Sequence, residues 1–287
     1  MNTNKTKETI KELSISELRP FKGHPYRVVD DEEMDRLVES IEEHGVMTPI
    51  NVRPIEGGYE VISGHRRIHA AKRAGLDTIP AIEMDMTRDQ AAVALVDSNL
   101  HREHILPSEK AFAYKLKLEA LARQGKRTDL TSDQVGRKLE TAEIIAENTD
   151  DSKTQVRRYI RLTNLIPPLL RMVDEERIAF TPAVELSYLT QEEQEMLFTE
   201  IGVTLATPSL SQACRLKKLS GEGKLDEETI TAIMAEEKPN QKERVSVPLS
   251  ALKGKVPDSY TDRQLQEYVI KAVDHYHRYL MRQREVR

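Results

Sequence analysis

Ser63-Gly64-His65-Arg66-Arg67 stands between a strand-like run, Tyr59 to Ile62, and an Ala-rich basic helix, and the chemistry these residue types suggest is anion binding. Gly64 has no Cβ, so the chain can turn tightly from strand to helix and a ligand can come close to the backbone. The first N–H groups of a helix have no partner inside it, and the aligned peptide dipoles add positive potential at that end. Arg66 and Arg67 supply planar donors that suit phosphate oxygens. The competing reading is a solvated face, because arginines near a helix start are common. Position favours the anion. The turn lies between the apolar runs Ile50 to Val52 and Ile79 to Ile82, and loops at strand ends are where ligands tend to be held.

A second segment has a different pattern. Thr141 to Asn148 is spaced as a short helix, Thr149-Asp150-Asp151 as a turn, and Ser152 to Leu162 as a second helix whose start is fixed by the capping-box spacing of Ser152 and Gln155. Two short helices joined by three residues match helix-turn-helix geometry. Val156 and Ile160, four apart, face the domain core. Lys153, Arg157, Arg158 and Arg161 are basic, and no acidic residue occurs from Ser152 through Leu162. A helix that enters the major groove of DNA needs that local positive surface; a solvated basic helix is the alternative.

Composition sets the limits. A chain of 287 residues has room for about two cored domains. Aromatics are only 5% and Trp is absent, so the cores must be aliphatic and rich in helix. A net charge of −5 excludes a uniformly basic coat and confines any DNA contact to a local surface. One cysteine, Cys214, excludes an intramolecular disulfide and a multi-Cys metal site, and is expected to be a packing residue. No apolar run has membrane-spanning length and the polar start is no signal peptide, so the expected place is the cytoplasm. No catalytic triad, zinc spacing or P-loop is visible; His101 and His104 read as surface or structural residues.

Three ordered motifs resemble the N-terminal domain of ParB-type partition proteins, the DNA-clamp CTPases of plasmid and chromosome segregation. In that family the turn usually reads Gly-Glu-Arg-Arg and cradles the triphosphate of CTP; here His65 replaces the Glu. His44-Gly45-Val46-Met47-Thr48-Pro49-Ile50-Asn51-Val52-Arg53 is similar to the pattern beside the base and sugar, and Asn99-Leu100-His101-Arg102 to the family's Glu-Asn-x-x-Arg. The resemblance runs over roughly residues 11 to 190. It implies CTP and Mg2+ as cofactors, with Thr48, Pro49, Ile50, Gly64, His65, Arg66, Arg67, Asn99 and Arg102 at the nucleotide and Asn99 on the metal. Ser98 stands where the family has its acidic residue, and Asp97 lies about 100° around the helix from it, so slow CTP hydrolysis is expected. The related sulfiredoxin chemistry is excluded, because the turn has no Cys.

Ser152-x-x-x-Val156, Arg161-Leu162 and Leu165-Ile166-Pro167 resemble the family's helix-turn-helix, although the usual turn Gly is absent. Lys153, Thr154 and Gln155 would then face base edges, and Arg157, Arg158 and Arg161 would divide between bases and phosphates. The expected fold is α+β. A disordered start (1–10) precedes a small mixed α/β nucleotide-binding domain (11–104) and a helical DNA-binding domain (105–220) with the helix-turn-helix at 141–162. A linker (221–245) and a C-terminal segment for dimerisation (246–287) follow. The resemblance implies a specific double-stranded DNA site, a ParA-type ATPase and a second copy as partners, with nucleoid or plasmid association. The alternative is a nucleotide-independent transcription regulator, or an accessory protein of a plasmid or integrative element.

Overall fold

The computed structural model describes residues 9–100, 102, 104–125, 143–146, 149, 151–236 and 262–285. The chain divides into two compact units, Met1–Glu236 and Glu237–Arg287. The first begins with a five-stranded mixed sheet of order β1-β5-β3-β4-β2, built from β1 (Ile10–Ser14), β2 (Leu18–Pro20), β3 (Ile50–Ile55), β4 (Gly58–Ser63) and β5 (Thr78–Glu83). A 3-10 turn, Ile15–Glu17, joins β1 to β2. Strand β1 starts at Ile10, inside the segment expected to be disordered. Alternation along β3 buries Ile50 and Val52, which pack with Val61, Ile79 and Ala81 beneath α2 (His65–Arg73) through Ile68 and Ala71.

Helix α1 (Glu32–His44) is capped by Asp31, whose carboxylate accepts from the Met34 N–H at 2.8 Å. Gly45 ends it at φ 68°. Met34, Val38 and Ile41 pack on Ala70, so α1 and α2 lie together over the sheet. Helix α3 (Arg88–Asn99) opens with a Thr87–Gln90 capping box, and α4 (Pro107–Gly125) follows it, with Ala91, Ala92, Leu95 and Val96 facing Ala113 and Ala120.

Six more helices complete the unit: α5 (Lys153–Leu162), α6 (Pro167–Asp174), α7 (Phe180–Leu186), α8 (Gln191–Thr204), α9 (Leu210–Gly221) and α10 (Glu227–Met234). They enclose an aliphatic core that includes Leu162, Leu169, Leu186, Leu197 and Leu216. The observed class is the expected α+β. Helix α10 occupies the stretch expected as linker, and its Ile230, Ile233 and Met234 complete that core, so the helical domain runs on to residue 236. Cys214 is exposed rather than packed. The second unit contributes α11 (Asp262–Glu285), on which Ile270, Val273 and Met281 are exposed. Among the described residues no helix is long and apolar enough to cross a membrane.

Carboxylates fasten the sheet domain to the helices. Buried Glu109, in the first turn of α4, accepts from the backbone N–H of Arg27 at 2.8 Å and of Leu106 at 3.3 Å. Asp174, at the end of α6, accepts from the Ser108 N–H and hydroxyl at 2.9 and 2.6 Å and pairs with Arg27. Lys117 on α4 is 2% exposed, and its ammonium lies 2.5 Å from the half-exposed carboxylate of Asp97 on α3. A buried ammonium stripped of its counter-charge is far costlier than a carboxylate that can turn to water. Asp97→Ala is therefore expected to cost about 3 kcal/mol and Lys117→Met about 1 kcal/mol or less, read from urea unfolding midpoints.

Candidate functional site

Strand β4 delivers the chain to Gly64, which adopts φ 106°, ψ 22° and serves as N-cap of α2 without a side-chain bond. A Cβ at Gly64 would lie 2.5 Å from Cγ2 of the fully buried Ile50. Both the positive φ and the close approach require glycine there. The first helical bond runs from the Ile68 N–H to the Gly64 carbonyl at 3.0 Å, which leaves the N–H groups of residues 65 to 67 with no acceptor inside the helix.

Both arginines already have partners within the chain, and Nη2 of Arg67 lies 3.3 Å from where a Cβ of residue 64 would stand. Arg66 pairs with Glu33 at 3.1 Å and Asp31 at 3.4 Å on the acidic start of α1. Half-buried Arg67 donates to the backbone carbonyls of Thr48 at 2.6 Å and Pro49 at 2.5 Å, and burial lowers its pKa. Arg67 thus holds the Thr48-Pro49-Ile50 segment against α2. Thr48 itself is exposed.

At the third motif, Asn99 is buried and its amide donates to the Leu95 carbonyl at 2.7 Å and the Ser98 hydroxyl at 3.2 Å. Ser98 in turn donates to the Leu95 carbonyl at 3.0 Å. Asp97, the only carboxylate sequence reasoning could offer in place of Ser98, is committed to Lys117. Among the described residues no group of three His, Cys, Asp or Glu could hold a metal ion. Magnesium bound with a triphosphate needs only one or two protein groups beside the phosphates, and the Asn99 amide is spent on the two oxygens above. His101 lies outside the described residues; His104 is exposed, as expected.

A cluster that the motifs did not announce adjoins the turn. The ring of His65 stacks on that of His24 with centroids 3.8 Å apart and planes at 41°. His24 in turn meets Tyr26 edge-on at 5.7 Å, and the Arg102 guanidinium lies 5.4 Å from the Tyr26 ring centre. Nε2 of His65 and the Tyr26 hydroxyl are buried with no partner among the described residues. Burial, then His24, then Arg102 push the His65 pKa down to about 3; burial also lowers that of His24. Beside the cluster lies a cavity of about 200 Å³ lined by Arg19, Val28, His65, Ile68, His69 and Lys72. Orphaned polar atoms next to a cationic, glycine-floored helix start describe a place made for a ligand with acceptor oxygens.

The basic helix is α5, capped by Ser152, whose hydroxyl accepts from the Gln155 N–H. Residues 143–146 are helical, and Ile145 buries against Val156 and Tyr114, as a helix-turn-helix pair requires. Residues 141, 142, 147, 148 and 150 of that motif lie outside the described residues. Thr154 and Arg157 are exposed. Lys153 pairs with Glu143. Arg158 lies over Phe180 and donates to the Thr181 hydroxyl at 2.8 Å. Arg161 stacks on Tyr188 and donates to the Ser187 carbonyl at 3.0 Å, which braces α5 against the end of α7.

The family model of the ParB N-terminal domain matches residues 1–100. This part of the chain is thus similar to a ParB N-terminal domain. Relatedness continues beyond it. The chromosome-partitioning protein Spo0J of Thermus thermophilus is 32% identical over 191 residues, 66% of this chain and 64% of that protein. The nucleoid occlusion protein of Halalkalibacterium halodurans is 31% identical over 179 residues, 62% and 57% of the two chains. The chain thus spans about three-fifths of the length of these relatives. The crystal structure of C-terminally truncated ParB from Caulobacter crescentus complexed with CTP-gamma-S is similar at 26% identity, with 67% of this chain and 98% of that one covered and a TM-score of 0.31.

In this domain the stacked histidines give stability a defined pH dependence. The unfolded chain protonates His65 below its ordinary value, about 6.5, whereas the folded chain refuses the proton down to about 3. The unfolded state therefore binds more protons throughout that window, and stability falls as pH drops through it. Between about pH 7.5 and pH 5 the contribution lost is about 2 kcal/mol. Urea unfolding at the two pH values is expected to show His65→Gln losing about that much less stability than the parent chain.

Proposed function

We propose that this chain is a site-specific DNA-binding partition protein whose ParB domain binds CTP, the nucleotide governing how the protein holds DNA as a clamp. The observation that carries the reading is the Gly64 turn. It offers a helix start with no room for a Cβ, and polar atoms without partners gather beside it. The motifs at Thr48-Pro49-Ile50 and Asn99-Leu100-His101-Arg102 flank it in the order that the ParB resemblance implies. On this reading the main-chain N–H groups of residues 65 to 67 receive phosphate oxygens. Arg66 swings from Asp31 and Glu33 to the phosphates, Arg102 adds charge, and Arg67 keeps the Thr48-Pro49 carbonyls in place beside the base. Magnesium would arrive with the triphosphate, and no hydrolytic step is assigned to a residue.

Calorimetry tests the nucleotide. CTP with Mg2+ is expected to bind in preference to ATP, GTP and UTP. Arg66→Ala should weaken it roughly ten- to hundredfold, from loss of a charge-assisted contact worth about 1.5–3 kcal/mol. Absence of heat with every nucleotide, with and without DNA, sinks the clamp.

On the DNA side, α5 would lie in the major groove with Thr154, Gln155 and Arg157 toward the bases and phosphates. Lys153 and Arg158 would join them on leaving Glu143 and Thr181. Arg157→Ala should weaken binding to the native genomic site, and the parent chain's affinity should fall steeply with salt because phosphate contacts release counterions. A gel-shift series in which this variant binds undiminished would show that Arg157 has been misassigned. A second copy and a ParA-type ATPase are the partners this function calls for.

A second reading is favoured by the nucleoid occlusion relative, which is about as similar as the partition relative. It keeps the DNA site and the nucleotide but places the protein in control of division. Loss of the gene separates the two: replicon loss at each generation supports partition, and septa formed across DNA support occlusion.

A further inference from the structure

We propose that His24 and His65 form a proton-linked clamp on the phosphate site, so that a polyphosphate entering at the start of α2 binds together with about one proton, taken by the stacked pair. The inference rests on the nucleotide reading above and adds to it a dependence on pH. It concerns a feature in which this chain departs from the Gly-Glu-Arg-Arg turn: a carboxylate at that position can only accept from its surroundings and repels phosphate, whereas an imidazolium can donate to it.

The geometry prepares the pair for the task. Nδ1 of His24 lies 2.8 Å from the Tyr26 carbonyl, an acceptor only, so that nitrogen carries the proton and Nε2 of the neutral ring keeps its lone pair. His65 stacks on this ring with its own Nε2 buried and unpartnered. The tautomer thus leaves a lone pair on His24 Nε2 that can take a proton, and no acceptor among the described residues claims His65 Nε2.

The charges around the pair explain why the proton needs an anion. Arg102 lies over Tyr26. Arg19 from β2 and Lys72 from α2 line the adjoining cavity, as does His69, which is held by Asp30 at 2.8 Å. Arg66 and Arg67 follow His65 directly. The nearby carboxylates are engaged elsewhere: Asp31 and Glu33 on Arg66, Asp30 on His69 and Arg73, Asp97 on Lys117, and Glu109 on backbone N–H groups. With no free negative charge at hand among the described residues, burial and Arg102 keep both rings neutral. A polyphosphate reverses the balance, because an opposite charge at hydrogen-bond range favours the protonated ring. Linkage then requires the converse: lower pH strengthens binding, by up to about tenfold per pH unit for one coupled proton.

The test uses the full chain with two probes, CTP with Mg2+ and inorganic tripolyphosphate. Calorimetry at about pH 6.5 in PIPES, HEPES and Tris, whose ionisation enthalpies differ, reads protons taken up per ligand bound. The parent chain is expected to take up about one proton more than His65→Gln or His24→Gln. Titration of the ligand's own terminal phosphate is common to all three and cancels. Histidine ring NMR of the parent chain gives a readout that needs no variant to fold: the His65 ring should be neutral alone and an imidazolium with tripolyphosphate. Binding with equal proton counts and a ring that stays neutral overturns the clamp and leaves the nucleotide reading intact. No heat from either probe overturns both.

Discussion

A buried ammonium has to keep its counter-charge, and Lys117 imposes that condition on the whole first unit. It is 2% exposed on α4, its partner is Asp97 on α3, and any arrangement that separated the two helices would leave a charge in an apolar surround. Helix α4 is therefore seated on the sheet domain in one orientation. The same helix is fixed at its start by Glu109, which holds the Arg27 and Leu106 N–H groups, and by Asp174, which holds Ser108. These are charge-assisted contacts away from bulk water, so they specify geometry as well as adding stability.

The face of α4 that carries Lys117 also holds the basic helix. Tyr114 donates to Asp151 at 2.6 Å and Lys110 pairs with the same carboxylate oxygen, immediately before the Ser152 cap of α5. Burial, reinforced by Asp151, raises the Tyr114 pKa, so the phenol stays a donor. One helix thus fixes both α3, through Asp97, and the start of the basic helix, through Asp151.

The sequence exposed what is local. Gly64 before a basic helix, the Ser152 cap, and the acid-free stretch from Ser152 to Leu162 are patterns within a few residues of one another, and each appears where the spacing put it. It hid what is made by contact across the chain. His24 meets His65 only because β2 runs parallel to β4 and brings the loop after Pro20 beside the turn. The bonds from Arg67 to the carbonyls of Thr48 and Pro49 likewise form only once β3 lies next to β4. Helix α10 was masked by flanking Gly221 and Gly223, although Ile230, Ile233 and Met234 have the spacing of a buried face. Cys214 took its expected burial from residue type alone, which is a weak guide on a helix half in water.

The pairing of Arg66 with Asp31 and Glu33 has a consequence for which anions can enter. An arginine already satisfied by two carboxylates is not an idle positive charge, and a newcomer that is to use it must compete with them. Chloride or a single phosphate gives the guanidinium little that the carboxylates do not already give. A chain of phosphates brings several charges at once and can engage the helix start and Arg102 while it competes, so the exchange of partners favours polyvalent ligands over the small anions that crowd any cell. The acidic start of α1 thereby acts as a threshold on charge number.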